Sequence, residues 1–324
     1  MTTIESLGPR LAEHYSVIMA SNKRNKIIRL FDMVFIAFKY RHKTKLILLD
    51  CYSSQAFWYV VVIALLAQWY RLPYIPILHG GDLQNRLKKS KTISRFVFGN
   101  AAKNISPSKY HYNFFKSAGY RVEYIPNFID ISNYKIKYRH ALTPMLLWVR
   151  SFHTIYNPTL AIKILYALRQ HYTNAHLCMV GPAKDGSLKE CQKLSNEYGI
   201  SDSVTFTGSL SKMQWVALSE QYDMFINTTN YDNMPVSVIE AMALGLPVIS
   251  TNAGGLPFLI ENGFDGMLVE KGDVQGFVSA IGTLMKDESY VNEMTLRARN
   301  KVEQFDWKII EIQWKILIDK VMKL

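Results

Sequence analysis

Short apolar runs that stop at polar or glycine-rich residues recur along the whole chain. Runs of this length are typical of strands that are buried on both faces, as the strands of a parallel sheet are. They occupy residues 16–21, 46–49, 74–78, 104–106, 122–125, 145–149, 176–180, 204–206, 224–226, 247–251 and 266–270. Segments with helical spacing of apolar residues separate many of these runs, and this alternation predicts an α/β fold.

The helical segments differ in their surface character. Residues 25–45 alternate apolar side chains with lysine and arginine, which is typical either of an amphipathic helix on anionic lipid or of a helix that covers a sheet. Residues 56–67 are all apolar but too few to cross a bilayer, so we expect a helix packed on the sheet, with a membrane-facing aromatic surface as the alternative. The other predicted helices span residues 2–14, 234–244, 273–285 and 305–324.

The clearest local unit lies between residues 223 and 257. A strand at 224–226 runs into a polar loop that contains Asp232, and Pro235 suits the first turn of the helix that follows. The next strand completes a βαβ unit, in which ligands bind at the carboxyl ends of the strands. Glu240 is the only charged residue of a nearly apolar helix, so it is either buried with partners or points to water.

Residues 232–248 read DNMPVSVIEAMALGLPV. This segment resembles the retaining glycosyltransferases of family 4, in which an acidic residue, seven further residues and a glutamate lie on the same strand, loop and helix. Asp232 stands where the family usually has glutamate. The resemblance implies that Glu240 accepts the hydroxyls of a ribose diol and that Asp232 contacts the donor sugar. Backbone N–H groups near Met234 and Pro235 would then face a phosphate.

The resemblance assigns roles to other residues as well. Arg150 follows the strand at 145–149, where the family has an arginine that clamps the diphosphate of the donor. The lysine that usually follows is absent, because those places hold Ile155 and Tyr156. His79, at the end of a strand, would contact the donor sugar. The remaining implied sites are turns beside the nucleotide, at Gly181 and Gly208.

The fold that the resemblance implies is GT-B, with two Rossmann-like domains whose parallel sheets face each other across a cleft. We expect an acceptor domain at residues 1–139 and a nucleotide-sugar domain at 140–304, with helix 305–324 returning to the first. Residues 134–144 would form the linker. The family's opening strand and glycine loop are missing ahead of residues 2–14, so either the sheet begins one strand short or the sequence is a fragment.

The charge is distributed unevenly. Residues 1–140 contain 22 Lys and Arg against 7 Asp and Glu, a net of +15, whereas the rest of the chain has a net of −3. A basic half suggests an anionic partner, either a membrane surface or a phosphorylated acceptor, unless it is only a solvated face. No nucleic-acid-binding motif accompanies the charge, so we expect no nucleic acid partner. Arg86, Lys88, Lys89 and Lys91 are predicted to lie in a basic loop.

Together with these features, the resemblance implies a metal-independent retaining glycosyltransferase. It would move a sugar from a nucleotide-diphosphate-sugar donor to a lipid-linked or polysaccharide acceptor, without a cofactor. We expect it in the cytoplasm, either free or peripheral on the cytoplasmic face of the membrane. The three cysteines show neither pairing nor metal-like spacing, and no Asp-x-Asp motif occurs. The alternative is a non-catalytic protein of the same fold that binds a nucleotide sugar or a partner in glycan assembly.

Overall fold

The computed structural model of the protein describes residues 3–23 and 25–323 and divides into two compact units. The first unit consists of residues 1–125 and 312–324, and the second of residues 126–311. Each unit contains one parallel sheet with helices. The predicted α/β class with two parallel sheets is confirmed. Residues 2 and 324, at the ends of two predicted helices, lie outside the described part.

The first unit contains a four-stranded sheet in which every pair is parallel. Its strand order is β1-β2-β3-β4. The strands are β1 (Ile47–Cys51), β2 (Tyr74–Leu78), β3 (Asn104–Ser106) and β4 (Val122–Tyr124). The helices are α1 (Thr3–Ala12), α2 (Lys26–Tyr40), α3 (Phe57–Trp69), α4 (Leu83–Lys89), α5 (Lys91–Gly99) and α6 (Lys109–Ser117).

Two predictions for this unit are wrong. Residues 16–21 form no strand: among the described residues β1 pairs with β2 alone, and no backbone ladder joins residues 16–21 to the free edge of β1. The basic loop is helical, because Leu83 and Leu87 lie one helical turn apart and are both buried. Within this helix Arg86 donates two hydrogen bonds to the carbonyl of Ser53, at 2.6 and 2.9 Å.

Helices α2 and α3 have different environments. One face of α3 is buried, through Phe57, Val60, Ile63, Ala64 and Ala67, so this helix packs in the core as expected. None of the side chains described on α2 is buried. Met33, Val34 and Ala37 of α2 are partly buried and pack against the core of the first unit, whereas another face of the helix exposes large apolar side chains.

The second unit has a six-stranded parallel sheet of order β10-β9-β8-β5-β6-β7. Its strands are β5 (Met145–Val149), β6 (His176–Val180), β7 (Val204–Gly208), β8 (Met224–Asn227), β9 (Val248–Thr251) and β10 (Met267–Val269). Its helices are α7 (Pro158–Arg169), α8 (Ser187–Glu197), α9 (Lys212–Leu218), α10 (Val236–Ala243), α11 (Leu256–Leu259), α12 (Val274–Lys286), α13 (Glu288–Glu303) and α14 (Trp307–Met322), the last of which ends in the first unit.

The order of the strands places a topological switch point in the second sheet. The chain builds outward from β5 through β6 to β7, then returns to β8 on the other side of β5 and continues to β9 and β10. In open α/β sheets, ligands bind outside the carboxyl ends of the strands at such a point. The residues that follow β5 and β8 therefore lie where a ligand of this sheet would bind.

The boundary between the units differs from the domain boundary expected at residue 139. Residues 126–140 pack on the second unit, with Ile129 and Tyr134 in its core. The guanidinium of Arg139 is buried and donates to the carbonyls of Tyr222 (2.9 Å) and Gly245 (3.0 Å). The polar composition of this segment suggested a linker. In the structure its polar groups are buried instead, because they form hydrogen bonds to backbone atoms of distant residues.

Candidate functional site

Arg150 and Asp232 meet at the switch point. Arg150 directly follows β5, and Asp232 lies in the loop after β8, its neighbour in the sheet. Their side chains form an ion pair in which both groups are largely buried. The structure therefore brings together two residues that the sequence separates by more than eighty positions.

The guanidinium of Arg150 is held in a partly apolar environment. Its central carbon lies 4.6 Å from the centroid of the Tyr156 ring, a cation–π contact. Burial lowers the pKa of Arg150, while the neighbouring Tyr156 and Glu240 raise it. Within the described part of the chain, Nε of Arg150 is buried without a hydrogen-bond partner. Tyr156 occupies one of the two places where the resemblance implies a lysine. It therefore adds no second positive charge, and its ring contacts the guanidinium of Arg150 instead.

Glu240 lies on α10 with only 4% of its surface exposed, so it does not point to water. Its Oε1 accepts a hydrogen bond of 2.6 Å from the hydroxyl of Tyr134 and forms an ion pair of 2.8 Å with Nζ of Lys212. Neither partner was predicted. Tyr134 falls in the expected linker. Lys212 is the first residue of α9, which follows the turn after β7. Its place shortly after Gly208, an implied nucleotide contact, was the one signal in the sequence that could have identified it.

Helix α10 begins two residues later than predicted. Pro235 is its N-cap and Val236 its first residue, so the unpaired N–H groups of the first turn begin there. Just ahead of the cap, the carbonyl of Met234 accepts a hydrogen bond of 2.9 Å from Asn127. Within the first turn, Oγ of Ser237 is buried and has no hydrogen-bond partner among the described residues. Buried polar groups in this condition call for an explanation such as a ligand.

The two predicted glycines of this unit lie together, and Gly181 packs against the backbone of Arg150. The N–H of Gly181 donates to the carbonyl of Gly208 at 2.8 Å. A side chain on Gly181, whose φ is 151°, would overlap the carbonyl of Arg150. In the same way, Gly254 and Gly255 leave no space between their Cα atoms and the backbone of Asp232 and Asn233. Close backbone packing thus fixes both loops that carry the ion pair.

His79 belongs to the first unit, at the carboxyl end of β2. Its Nε2 lies 3.2 Å from Oδ1 of Asp50 on β1, so the structure gives this histidine a carboxylate neighbour. Behind it, His111 contacts the carbonyl of Gly80 through Nε2 at 2.8 Å. Burial lowers the pKa of His111 to about 4, so its ring is neutral at pH 7 and supports the turn. The contact of His79 with a donor sugar stays a prediction.

Comparison with known proteins places this site in a family. The sequence pattern described as glycosyl transferases group 1 matches residues 134–301, more than half of the chain. The chain belongs to the glycosyl transferases group 1 family. The match includes Arg150, Asp232, Glu240 and the two unpredicted partners of Glu240.

The curated relatives are matched over part of their length. The sulfoquinovosyl transferase SQD2 of Arabidopsis thaliana is 30% identical over 155 residues, which cover 46% of this chain and 28% of that protein. The UDP-Gal:alpha-D-GlcNAc-diphosphoundecaprenol alpha-1,3-galactosyltransferase of Escherichia coli is 35% identical over 80 residues, 25% of this chain and 20% of that one. The chain therefore spans less than a third of the length of these two relatives.

A solved structure supports the fold over nearly the whole chain. The Anabaena protein HepE, in complex with UDP and glucose, matches with a TM-score of 0.78 and 21% identity. The match covers 97% of this chain and 88% of HepE. The GT-B fold implied by the resemblance is confirmed.

Proposed function

We propose that this protein is a retaining glycosyltransferase that moves a sugar from a nucleotide-diphosphate-sugar donor to an acceptor hydroxyl. The observation that carries the proposal is the arrangement at the switch point of the second unit. Three groups lie on the loops and the helix that follow β5 and β8. They are the buried guanidinium of Arg150, the start of α10 with the unpaired hydroxyl of Ser237, and the buried carboxylate of Glu240. A diphosphate and a ribose require these kinds of group.

Each residue has one task in this proposal. Arg150 binds the diphosphate, and its ion pair with Asp232 opens when the donor enters, because the phosphate oxygens take the place of the carboxylate. The released Asp232 then accepts hydroxyls of the donor sugar. Glu240 accepts the ribose hydroxyls, while Met234 and Pro235 lead the backbone into the first turn of α10. The turns at Gly181 and Gly208 bring the backbone close to the nucleotide.

The transfer step uses the leaving group. The acceptor oxygen forms a bond to the anomeric carbon on the face from which the diphosphate departs, and the bond from that carbon to the diphosphate oxygen breaks. The acceptor proton passes to the departing phosphate oxygen, so the reaction needs no side-chain base. Arg150 stabilises the negative charge that grows on the diphosphate, with help from the N-terminus of α10. We propose that these groups take the place of a metal ion.

A lipid-linked acceptor is our proposal for the other substrate, with a polysaccharide as the second choice. The Escherichia coli relative is named for a diphosphoundecaprenol-linked acceptor. The first unit adds support through an apolar surface on α2. Four of its side chains, Ile27, Phe31, Phe35 and Phe38, recur at helical spacing, and the first three are 67%, 70% and 60% exposed.

Aromatic side chains and positive charge accompany this α2 surface. Helix α3, which packs against α2, exposes Trp58 and Trp69. Lys26 and Lys39 are exposed on α2 itself, and Arg41 stacks on the ring of Phe38 at 4.0 Å. Exposed aromatic residues with flanking cations match the interfacial region of an anionic bilayer. No helix within residues 3–23 and 25–323 has the length and apolarity that a membrane span requires. We therefore propose peripheral attachment to the cytoplasmic face through α2.

The attachment can be measured with lipid vesicles. We expect the protein to sediment with phosphatidylglycerol vesicles, less at high salt, and hardly at all with neutral phosphatidylcholine vesicles. The double variant Phe31→Ser/Phe35→Ser should have a vesicle affinity reduced about tenfold or more, because two exposed rings no longer enter the interface. Phe258→Ser/Phe264→Ser is the matched control, since these rings are 46% and 44% exposed on the second unit. Equal binding by the two double variants would contradict the proposal.

The donor can be tested by thermal unfolding with UDP- and GDP-sugars. A ligand at about a hundred times its Kd should raise the free energy of unfolding by about 2.7 kcal/mol. We then expect transfer of the stabilising sugar to a polyprenyl-diphosphate-linked acceptor, unchanged by EDTA. Stabilisation without transfer to any acceptor would favour the non-catalytic alternative, to which the missing lysine points. If no nucleotide sugar stabilises the protein, the proposed donor site is wrong.

A further inference from the structure

The carboxylate of Glu240 is held by two donors from distant parts of the chain. Tyr134 precedes it by more than a hundred residues and is itself buried, with its carbonyl bonded to Arg299 at 2.5 Å. Lys212 is the first residue of α9. Both donors reach Oε1, and neither contact, within the described part of the chain, involves Oε2. One oxygen is thus engaged while the other can accept from a ligand.

The two donors differ in character. Burial and the nearby charge of Glu240 raise the pKa of Tyr134, so its hydroxyl keeps its proton and remains a donor at all ordinary pH values. The side chain of Lys212 is 49% exposed. An exposed lysine gains little from a surface ion pair, but here its partner is buried, and a buried carboxylate needs a compensating charge. Lys212 therefore compensates the negative charge of Glu240, and Tyr134 fixes the orientation of its carboxylate.

We propose that Tyr134 and Lys212 are positioning residues that aim Glu240 at a ribose diol, so that the site selects ribonucleoside diphosphates over their 2′-deoxy forms. This inference rests on the proposed function, because it assumes that a nucleotide ribose binds at Glu240. A carboxylate that two donors already hold in place loses less conformational entropy when it accepts the ribose hydroxyls. A ligand that lacks one hydroxyl leaves part of the buried acceptor unpaired, and sites of this kind discriminate strongly.

The same arrangement gives Lys212 a second effect. The charge of Glu240 raises the pKa of Arg150, so the two groups interact electrostatically across the site. Lys212 balances the negative charge of Glu240 next to the place where the diphosphate is proposed to bind. Without this lysine, the uncompensated carboxylate would repel the phosphates. This second effect acts equally on ribo- and 2′-deoxyribonucleotides, because both carry the same diphosphate. Only the positioning effect changes the ratio of their affinities.

Calorimetric titration of the full chain with UDP, GDP and their 2′-deoxy forms tests the inference. The wild type should prefer one ribonucleotide over its deoxy form by about tenfold or more. Lys212→Met and Tyr134→Phe should each weaken binding of that ribonucleotide about tenfold and of the deoxy form much less, so the preference disappears. Lys212→Arg should restore most of it. Lys193→Met, which removes an exposed lysine paired with Glu197, is the matched control and should match the wild type.

The readouts separate a positioning role from a structural one. If the variants weaken both ribose and deoxyribose forms equally, or keep the wild-type preference, Lys212 and Tyr134 do not act through the ribose and the inference is wrong while the donor site stands. If the wild type binds neither UDP nor GDP, the proposed function fails and this inference fails with it. Lys212→Met alters a half-exposed side chain, so it remains informative even if Tyr134→Phe impairs folding.

Discussion

Replacing Arg150 with methionine is expected to lower kcat/KM for sugar transfer about a thousandfold or more. The guanidinium is the cation that the structure places directly after β5, and methionine removes its charge while filling the space beside Tyr156. The charge that develops on the departing diphosphate would then be stabilised by the start of α10 alone. Steady-state kinetics with the donor identified by thermal unfolding measures the effect.

Two variants show whether the effect comes from the phosphate contact. Arg150→Lys keeps a positive charge but loses the planar fork, so it should recover only part of the rate. Asp232→Asn removes the carboxylate that pairs with Arg150, so the diphosphate should bind at least as tightly as in the wild type while transfer slows. Wild-type kinetics in Arg150→Met would exclude this arginine from the reaction. Equal loss of affinity for the free nucleoside would indicate damage to the fold.

The second large effect is expected at Glu240. Glu240→Gln should raise the Kd for the nucleoside diphosphate about a hundredfold, because two hydrogen bonds to a buried carboxylate become weaker bonds to a neutral amide. The unliganded fold should lose little, since glutamine can still accept from Tyr134 and Lys212 can turn to water. Calorimetric titration measures the Kd, and thermal unfolding without ligand measures the stability.

Glu190→Gln is the matched control for this variant. It also removes one carboxylate from a helix of the second unit, but from an exposed position on α8. We expect wild-type affinity from it. Unchanged binding by Glu240→Gln would show that the ribose lies elsewhere, and a large fall in unfolding temperature without ligand would show that the carboxylate serves mainly to stabilise α10.

Much of the site could be found in the sequence because its signals are local. The strand, polar loop and helix between residues 224 and 244 are encoded by neighbouring residues, and so is the placement of Asp232 and Glu240 on them. Arg150 was recognisable because it directly follows the apolar run at 145–149, the place where the resemblance implies an arginine on the diphosphate. The resemblance likewise pointed to Gly181, which follows a short strand, and to Gly208, which ends one.

The partners of these residues could not be predicted, because they come from distant segments. Tyr134 lies in a stretch whose polar composition resembles a linker, and only its packing on the second unit shows otherwise. Lys212 is one of many surface lysines in the sequence. The strand expected at residues 16–21 is wrong for a related reason, because an apolar run becomes a strand only when it forms a backbone ladder with another strand, and this run forms none with the free edge of β1.

By itself, the sequence determined the α/β class, the order of the strands along the chain and the residue types of the candidate site, since hydrophobic period, turn residues and motif spacing act over short stretches. Only the tertiary structure decided the order of strands in each sheet, the ion pair of Arg150 with Asp232, and the two donors on Glu240. These depend on which segments pack together, and that choice is made by the burial of apolar surface and by the need of each buried charge for a partner.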